Sequence, residues 1–296
     1  MSSVIEVFGL TKSFKRSIAL NNISFSVEKG SITGFIGPNG SGKTTTIKIL
    51  SGLLKANKGK VAVLGMNPWD NPKIRERISI VFDKLYFPQL NTVEDFLYDI
   101  ASLYQRVDPE EIMNEFNLER FRKRKLAELS AGYKQKVQLA SALLNDPELI
   151  IADEPTANLD PTARNEFNSI ITNLNKKKGI TFFISSHILS ELERVITHVV
   201  MIDRGRIVAS SSVNAFLGEE KEDKLVILVD KPQEALRALS NYEARISGAY
   251  IEVKGDIKSI VNAIDEAKVK IIMIRRSSLD DAFLERTGRN FQDNLQ

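Results

Sequence analysis

The stretch Gly37-Pro38-Asn39-Gly40-Ser41-Gly42-Lys43-Thr44-Thr45 constrains this chain more than any other, because it sets a glycine-rich loop between an apolar run and a helical pattern. Its spacing fits G-x-x-x-x-G-K-[ST]. Glycines let the backbone curl so that successive N–H groups point inward, and a helix starting near Lys43 adds the positive end of its dipole. Lys43 is then placed to reach the β- and γ-phosphates of a nucleotide, and the Thr44 hydroxyl to ligate Mg²⁺. The context is the one such a loop requires: Ser31-Ile32-Thr33-Gly34-Phe35-Ile36 reads as a buried strand running into it. Ile47, Ile49, Leu50, Leu53 and Leu54 follow at mostly helical spacing until Gly52 and Gly59 interrupt. The chain is expected to bind a nucleoside triphosphate.

At 296 residues and 43% hydrophobic content, there is enough apolar material for one large domain and a small one. Lys and Arg total 41 against 38 Asp and Glu, interspersed, so neither a nucleic-acid stripe nor a bilayer-surface helix is marked out. The one local exception, Arg120-Phe121-Arg122-Lys123-Arg124-Lys125, reads as a solvated helix-to-loop segment. The absence of cysteine excludes disulfides, thiolate catalysis and Cys-based metal sites. Without a signal peptide or an apolar run near the roughly 18 residues a membrane span needs, the chain is expected to be soluble and cytoplasmic.

Short alternating runs in residues 1–30 (Val4 to Phe8, Ile23 to Val27) predict a small antiparallel sheet. From 31 to about 210, near-continuous apolar runs at 32–36, 61–64, 78–82, 148–152, 180–184 and 198–202 alternate with helical patterns, as in an α/β sheet covered on both faces. Residues 84–145 interrupt this alternation with helical periodicity and predict an inserted helical subdomain. A domain over 1–212, a polar linker over 213–223 and a second domain over 224–296 are expected. The second reads β-α-β-β-α-β, the ferredoxin-like order, and closes with a short amphipathic helix at Ser278 to Leu284.

Three more clusters carry chemistry. Leu149-Ile150-Ile151-Ala152-Asp153-Glu154-Pro155 is a buried strand ending in two carboxylates. Alternation points the two differently, so that Asp153 can serve the Mg²⁺ shell while Glu154 polarises an attacking water. In isolation an acidic turn would look the same; the upstream loop makes the pair meaningful. Leu129-Ser130-Ala131-Gly132-Tyr133 precedes a long helical pattern, where Ser130 and the first N–H groups form either an anion site or a plain serine cap. His187 ends the apolar strand Thr181 to Ile184 in Ser185-Ser186-His187, at the strand edge where ligands of open α/β sheets bind, and is read as a γ-phosphate contact. His198 carries no functional expectation.

With these clusters in this order, residues 4–210 resemble the ATP-binding-cassette (ABC) ATPases, specifically the nucleotide-binding subunits of ABC transporters. Gly37 to Thr45 look like Walker A, Leu149 to Glu154 like Walker B, Leu129 to Tyr133 like the signature, Asn158-Leu159-Asp160 like the D-loop and His187 like the switch histidine. Phe14 matches the aromatic that stacks on adenine, although a core aromatic on an edge strand would read alike. The resemblance implies a P-loop NTPase cassette with antiparallel β and helical subdomains, ATP and Mg²⁺ as cofactors, and a head-to-tail homodimer. Ser130, Gly132 and Asp160 of one subunit would then complete the ATP site of the other. It also implies a separate transmembrane permease docked against the 84–128 region, where Tyr86 and Phe87 are candidate contacts that core packing explains equally well.

Two departures stand out. Ala131 and Tyr133 replace the family's second signature glycine and its glutamine, and Asp83 stands where the family has its Q-loop glutamine, with Gln89 out of register. Asp83 is expected to bind Mg²⁺ or Mn²⁺ and to slow or restrict turnover. The C-terminal part looks like the small domain that follows the cassette in exporters of the ABC-2 type, including drug-efflux ATPases, whose tails resemble Ser278 to Gly288. No nucleic acid is expected as a partner. The rival readings are a soluble, non-transport ABC ATPase acting on nucleic acid or ribosomes, disfavoured by the single cassette and the lack of a heptad run, and a ligand-sensing C-terminal domain.

Overall fold

Strands buried on both faces can lie only in the middle of a layered structure, and three of them, β3 (Ile32–Ile36), β6 (Leu149–Asp153) and β7 (Thr181–Ser186), are buried at every residue. In the computed structural model, which describes residues 2–15, 17–83, 88, 90–188, 192–217, 224–276 and 281, they form the centre of a six-stranded sheet. Its order is β5-β6-β7-β3-β8-β9, with β5 (Ile78–Val81) and β8 (His198–Asp203) parallel to the three and β9 (Arg206–Ser212) antiparallel at the edge. The chain divides into two compact units, one ending at Ser212 and the other beginning at Val213.

A second sheet in the first unit is antiparallel, in the order β2-β1-β4, built from β1 (Ser3–Phe14), β2 (Ser17–Glu28) and β4 (Lys58–Val63). The run at 61–64, expected in the parallel sheet, therefore lies elsewhere: Val61 pairs with Val7 and Ala62 with Glu6. A strand of the parallel sheet must bury both faces, whereas Lys58 and Lys60 are exposed. Phe25 of the antiparallel sheet stacks on Phe35 and Phe183 of the parallel one, with ring centroids 5.6 and 5.9 Å away, and ties the layers together. Helix α1 (Lys43–Leu50) buries Ile47, Ile49 and Leu50 in the same core.

Between β5 and β6 come α2 (Val93–Tyr104), α3 (Pro109–Glu115) and α4 (Ala131–Leu143); α5 (Pro161–Lys178) joins β6 to β7. Each starts on a polar cap: Thr92 in a capping box with Asp95, Asp108, Ser130 and Asp160. Two members of the basic run at 120–125 are held in ion pairs, Arg122 with Glu94 and Glu110 at 2.7 and 2.8 Å and Lys123 with Glu94. The expected Tyr86 and Phe87 contacts, and Gln89, lie outside the described residues.

Within the second unit, β10 (Lys224–Val229), helix Pro232–Ala238, β11 (Glu243–Ser247), β12 (Tyr250–Lys254), helix Ile257–Glu266 and β13 (Ile271–Arg276) follow in the β-α-β-β-α-β order, and the strands form an antiparallel sheet β11-β12-β10-β13. Leu225, Ile227, Val229, Ile251 and Val253 pack against Ile260 and Ile264 of the second helix. Of the segment read as a linker, Val213–Leu217 is a helical turn with Val213 and Phe216 buried; residues 218–223 lie outside the described set. So does the expected helix at 278–284, except Asp281, which pairs with Arg275 at 2.5 and 2.7 Å.

Candidate active site

Parallel strands bring their carboxyl ends to one edge of the sheet, and β3, β5, β6 and β7 deliver there the glycine-rich loop, Asp83, the Asp153-Glu154 pair and His187. Loop and sheet are fastened at Gly37, whose N–H donates to Ser186 O at 3.3 Å. A Cβ on Gly37 would lie 2.2 Å from Ile202 O and 2.6 Å from Ser41 Oγ, so the loop closes only without a side chain at this position. Gly42 caps α1 at φ +113° with no side chain to donate to, and the amides of Lys43, Thr44 and Thr45 open the helix with no carbonyl one turn back. The Ser41 hydroxyl is buried in the loop and makes no hydrogen bond among the described residues. An inward-facing set of donors of this kind suits a polyphosphate.

Lys43 is 5% exposed, an uncommon state for a lysine, and its Nζ donates to Gly37 O at 2.7 Å and Pro38 O at 3.2 Å and pairs with Glu154 Oε1 at 3.2 Å. Burial lowers its pKa, against the pull of the Glu154 and Asp153 carboxylates. Asp153 is pushed the other way. Burial raises its pKa, the negative charges of Glu154 and Asp83 add to the rise, and hydrogen bonds from Ser185 and Thr44 oppose it. Glu154 adopts φ +49°; one carboxylate oxygen faces Lys43 and the other hydrogen-bonds His187 Nδ1. Lysine, glutamate and histidine thus form one contiguous chain across three strand ends.

The Thr44 hydroxyl and the Asp153 carboxylate meet, and the half-buried Asp83 lies near enough to act on the Asp153 charge. A hydroxyl and two carboxylates are the oxygen donors a hard divalent cation takes, so Thr44, Asp153 and Asp83 fit Mg²⁺. Phe14 ends β1 with 45% of its surface exposed, and Lys12 Nζ stands 5.1 Å over its ring. Ser130, Gly132 and Asp160 gather at another place, the starts of α4 and α5. Ser130 Oγ accepts the Tyr133 N–H at 3.4 Å, Asp160 Oδ1 accepts the Ala163 N–H at 2.9 Å, and a Cβ on Gly132 would come 2.8 Å from that of Ala163. Tyr133, the departure from the family's glutamine, packs on Phe121 at 4.2 Å between centroids and hydrogen-bonds Arg120.

One site residue escaped the sequence reading. Ser185 Oγ donates to Asp153 Oδ1 at 2.7 Å and accepts the Glu154 N–H at 2.9 Å. Its signal was there in two consecutive serines closing a strand that is otherwise apolar, since a buried hydroxyl needs a partner.

A family model described as ABC transporter matches residues 20–157. The bacitracin transport ATP-binding protein BcrA of Bacillus licheniformis is 32% identical over 97% of this chain and 98% of its own length. This chain belongs to the ABC transporter ATP-binding proteins. It is a nucleotide-binding ATPase, the ATP-binding subunit of an ABC transporter. The Nod factor export ATP-binding protein I of Rhizobium leguminosarum bv. viciae is 31% identical over 97% of this chain and 96% of its own. Among solved structures, an ATP-binding subunit of an ABC transporter superposes with a TM-score of 0.66 at 31% identity, over 73% of this chain and 92% of that one. A dimeric bacterial ABC transporter cassette does so at 0.64 and 26%, over 71% and 99%. No helix among the described residues is long and apolar enough to cross a membrane.

Proposed function

We propose that this subunit closes head-to-tail with a second copy around two Mg-ATP and powers a separate membrane permease, acting as an exporter ATPase on the cytoplasmic face of the cell membrane. The observation that carries the reading is the Glu154 carboxylate standing between Lys43 Nζ and His187 Nδ1 at the ends of the central strands. Lys43 and the loop amides hold the β- and γ-phosphates, Phe14 receives the adenine, and Gly37 to Thr45 wrap the polyphosphate. Glu154 takes the proton of the attacking water, and His187 holds the γ-phosphate and orients Glu154. Bound Mg²⁺ would neutralise phosphate charge, held by Thr44, Asp153 and Asp83. Ser130, Gly132 and Asp160 serve the partner's ATP. The rate gain comes from positioning and charge stabilisation.

The export direction is supported by the Nod factor export relative, and the transport role also by the bacitracin transport relative, both of which align over nearly the whole of this chain. The units on either side of Ser212 are read as an ATPase domain and an accessory domain. Glu154→Gln tests the assignment of the base. It is expected to keep ATP affinity, to trap an ATP-bound dimer in gel filtration, and to lose about 10²- to 10⁴-fold in turnover; normal hydrolysis would remove Glu154 from the role. Asp83→Gln is expected to change the Mg²⁺ and Mn²⁺ dependence of the rate, and an unchanged metal profile would take Asp83 out of the metal shell.

A further inference from the structure

Ser185 is fully buried on β7 and sits in register with Asp153 of β6. Partners in a parallel pair project to the same face, which puts the hydroxyl beside the carboxylate. A serine hydroxyl has one proton and two lone pairs, and an ionised carboxylate can only accept. The proton therefore goes to Asp153 Oδ1, leaving the oxygen to accept the Glu154 N–H, at 2.7 and 2.9 Å. Both bonds converge on the one step of backbone that departs from the strand.

That step is Glu154, whose φ of +49° is the left-handed conformation. A glutamate gains nothing locally from such a backbone and stays there only where its surroundings hold it. Two hydrogen bonds do so here, from its N–H to Ser185 and from the Ala157 N–H to its own carbonyl at 3.2 Å. Had β6 run on for one more residue, alternation would have sent the Glu154 side chain to the face of the sheet opposite Asp153. The left-handed turn breaks that alternation, and the carboxylate meets Lys43 and His187 instead.

We infer that Ser185 is a positioning residue for ATP hydrolysis: its hydroxyl fixes Asp153 with its proton and the left-handed Glu154 with its lone pair, and so sets the metal-binding carboxylate and the base relative to each other. The inference rests on the reading of Glu154 as the base. Ser185→Ala, Ser185→Cys and Ser185→Thr in the full chain test it, through fluorescent-nucleotide affinity, kcat and KM, and amide hydrogen exchange of the segment carrying Glu154 without nucleotide. In Ser185→Ala, kcat is expected to fall about 10- to 100-fold while KM and nucleotide affinity stay within about threefold. The Glu154 amide exchanges faster, and Ser185→Thr, which keeps the hydroxyl, restores most of kcat. In a Glu154→Gln background the same change costs less than about twofold in single-turnover rate, because the two residues act as a unit.

Ser185→Ala keeping full kcat, or a loss that multiplies in the Glu154→Gln background, would overturn the inference. Should Ser185→Ala fail to fold, Ser185→Cys, nearly the same shape with a weak hydrogen-bonding group, carries the same comparison. The two ideas separate cleanly. A Glu154→Gln protein that hydrolyses ATP normally defeats the base assignment, whereas an inactive one alongside a fully active Ser185→Ala defeats only the positioning role.

Discussion

At the starts of α4 and α5 a side chain meets the first turn, Ser130 accepting from Tyr133 and Asp160 from Ala163, while at the start of α1 Gly42 has no side chain to offer. The donors of α1 therefore have no side-chain partner in their own first turn, and the loop around them is assembled wholly from one chain. At α4 one donor, the Tyr133 N–H, is already engaged by Ser130. A phosphate reaching Ser130 from a second subunit has to compete with the serine's own helix, and the 3.4 Å bond to Tyr133 is the longer of the two caps, against 2.9 Å at Asp160. The loop site is built from one chain, whereas in the proposed dimer the corner of α4 and α5 is a surface that would gain its role when a partner arrives.

The sharpest way to break this contrast is at Gly37. Gly37→Ala would place a methyl group 2.2 Å from the Ile202 carbonyl, and is expected to cost about 3 kcal/mol or more and to abolish nucleotide binding. Gly40→Ala is the control: it faces open space and bears only the strain of φ +77°, about 1 kcal/mol. Thermal melts with and without ATP distinguish the two.

Next in size is Lys43→Met, expected to weaken ATP binding at least about tenfold, since a charged hydrogen bond contributes about 1.5–3 kcal/mol. The melting temperature should hold or rise at any pH below the window in which the folded chain releases its Lys43 proton. Burial lowers the folded pKa of Lys43 below the 10.5 of an unfolded lysine, so between the two values the unfolded chain keeps a proton the folded chain has released. Wild-type stability accordingly gains with rising pH across that window, and below it, with both states protonated, the folded chain carries the burial cost in full. The variant should lack the alkaline gain. Chemical denaturation from pH 7 to 10.5 measures it, and an identical profile in both proteins would show the ammonium to be well solvated.

Ser130→Ala should have the smallest effect on the monomer, up to about 1 kcal/mol for a long cap, with ATP binding to the isolated chain unchanged. In a Glu154→Gln background it is expected to weaken ATP-driven dimerisation at least tenfold, about 1.4 kcal/mol. Equal loss in monomer stability and dimer affinity, read by melting and sedimentation, would reduce Ser130 to a cap.

Much of this was legible in the chain because the elements that build the nucleotide edge announce themselves locally. The glycines of the loop, the uninterrupted apolar runs at 149–152 and 181–184 and the polar residues that terminate them each follow from a short-range rule. What was misread depended on neighbours distant in sequence. Val61 to Val63 look like any buried run, and only pairing with β1 assigns them to the antiparallel sheet. Strand β9 ends in Ser210-Ser211-Ser212 and is held by pairing with β8 at a sheet edge, where little apolar pattern is needed. Ser185 has a role only because parallel register sets it opposite Asp153, and no spacing within either strand encodes that register.

The close approach of Gly132 to Ala163 bears on how tolerance to substitution here should be interpreted. Gly132 adopts no left-handed backbone, and its need for glycine comes from the 2.8 Å a Cβ would leave to its neighbour. In a saturation library this position would accept nothing larger, and the pattern would be natural to credit to a phosphate across the dimer. The same intolerance is already imposed by two helices of a single chain, which docks Ser130 and Asp160 onto one rigid corner before any partner is present.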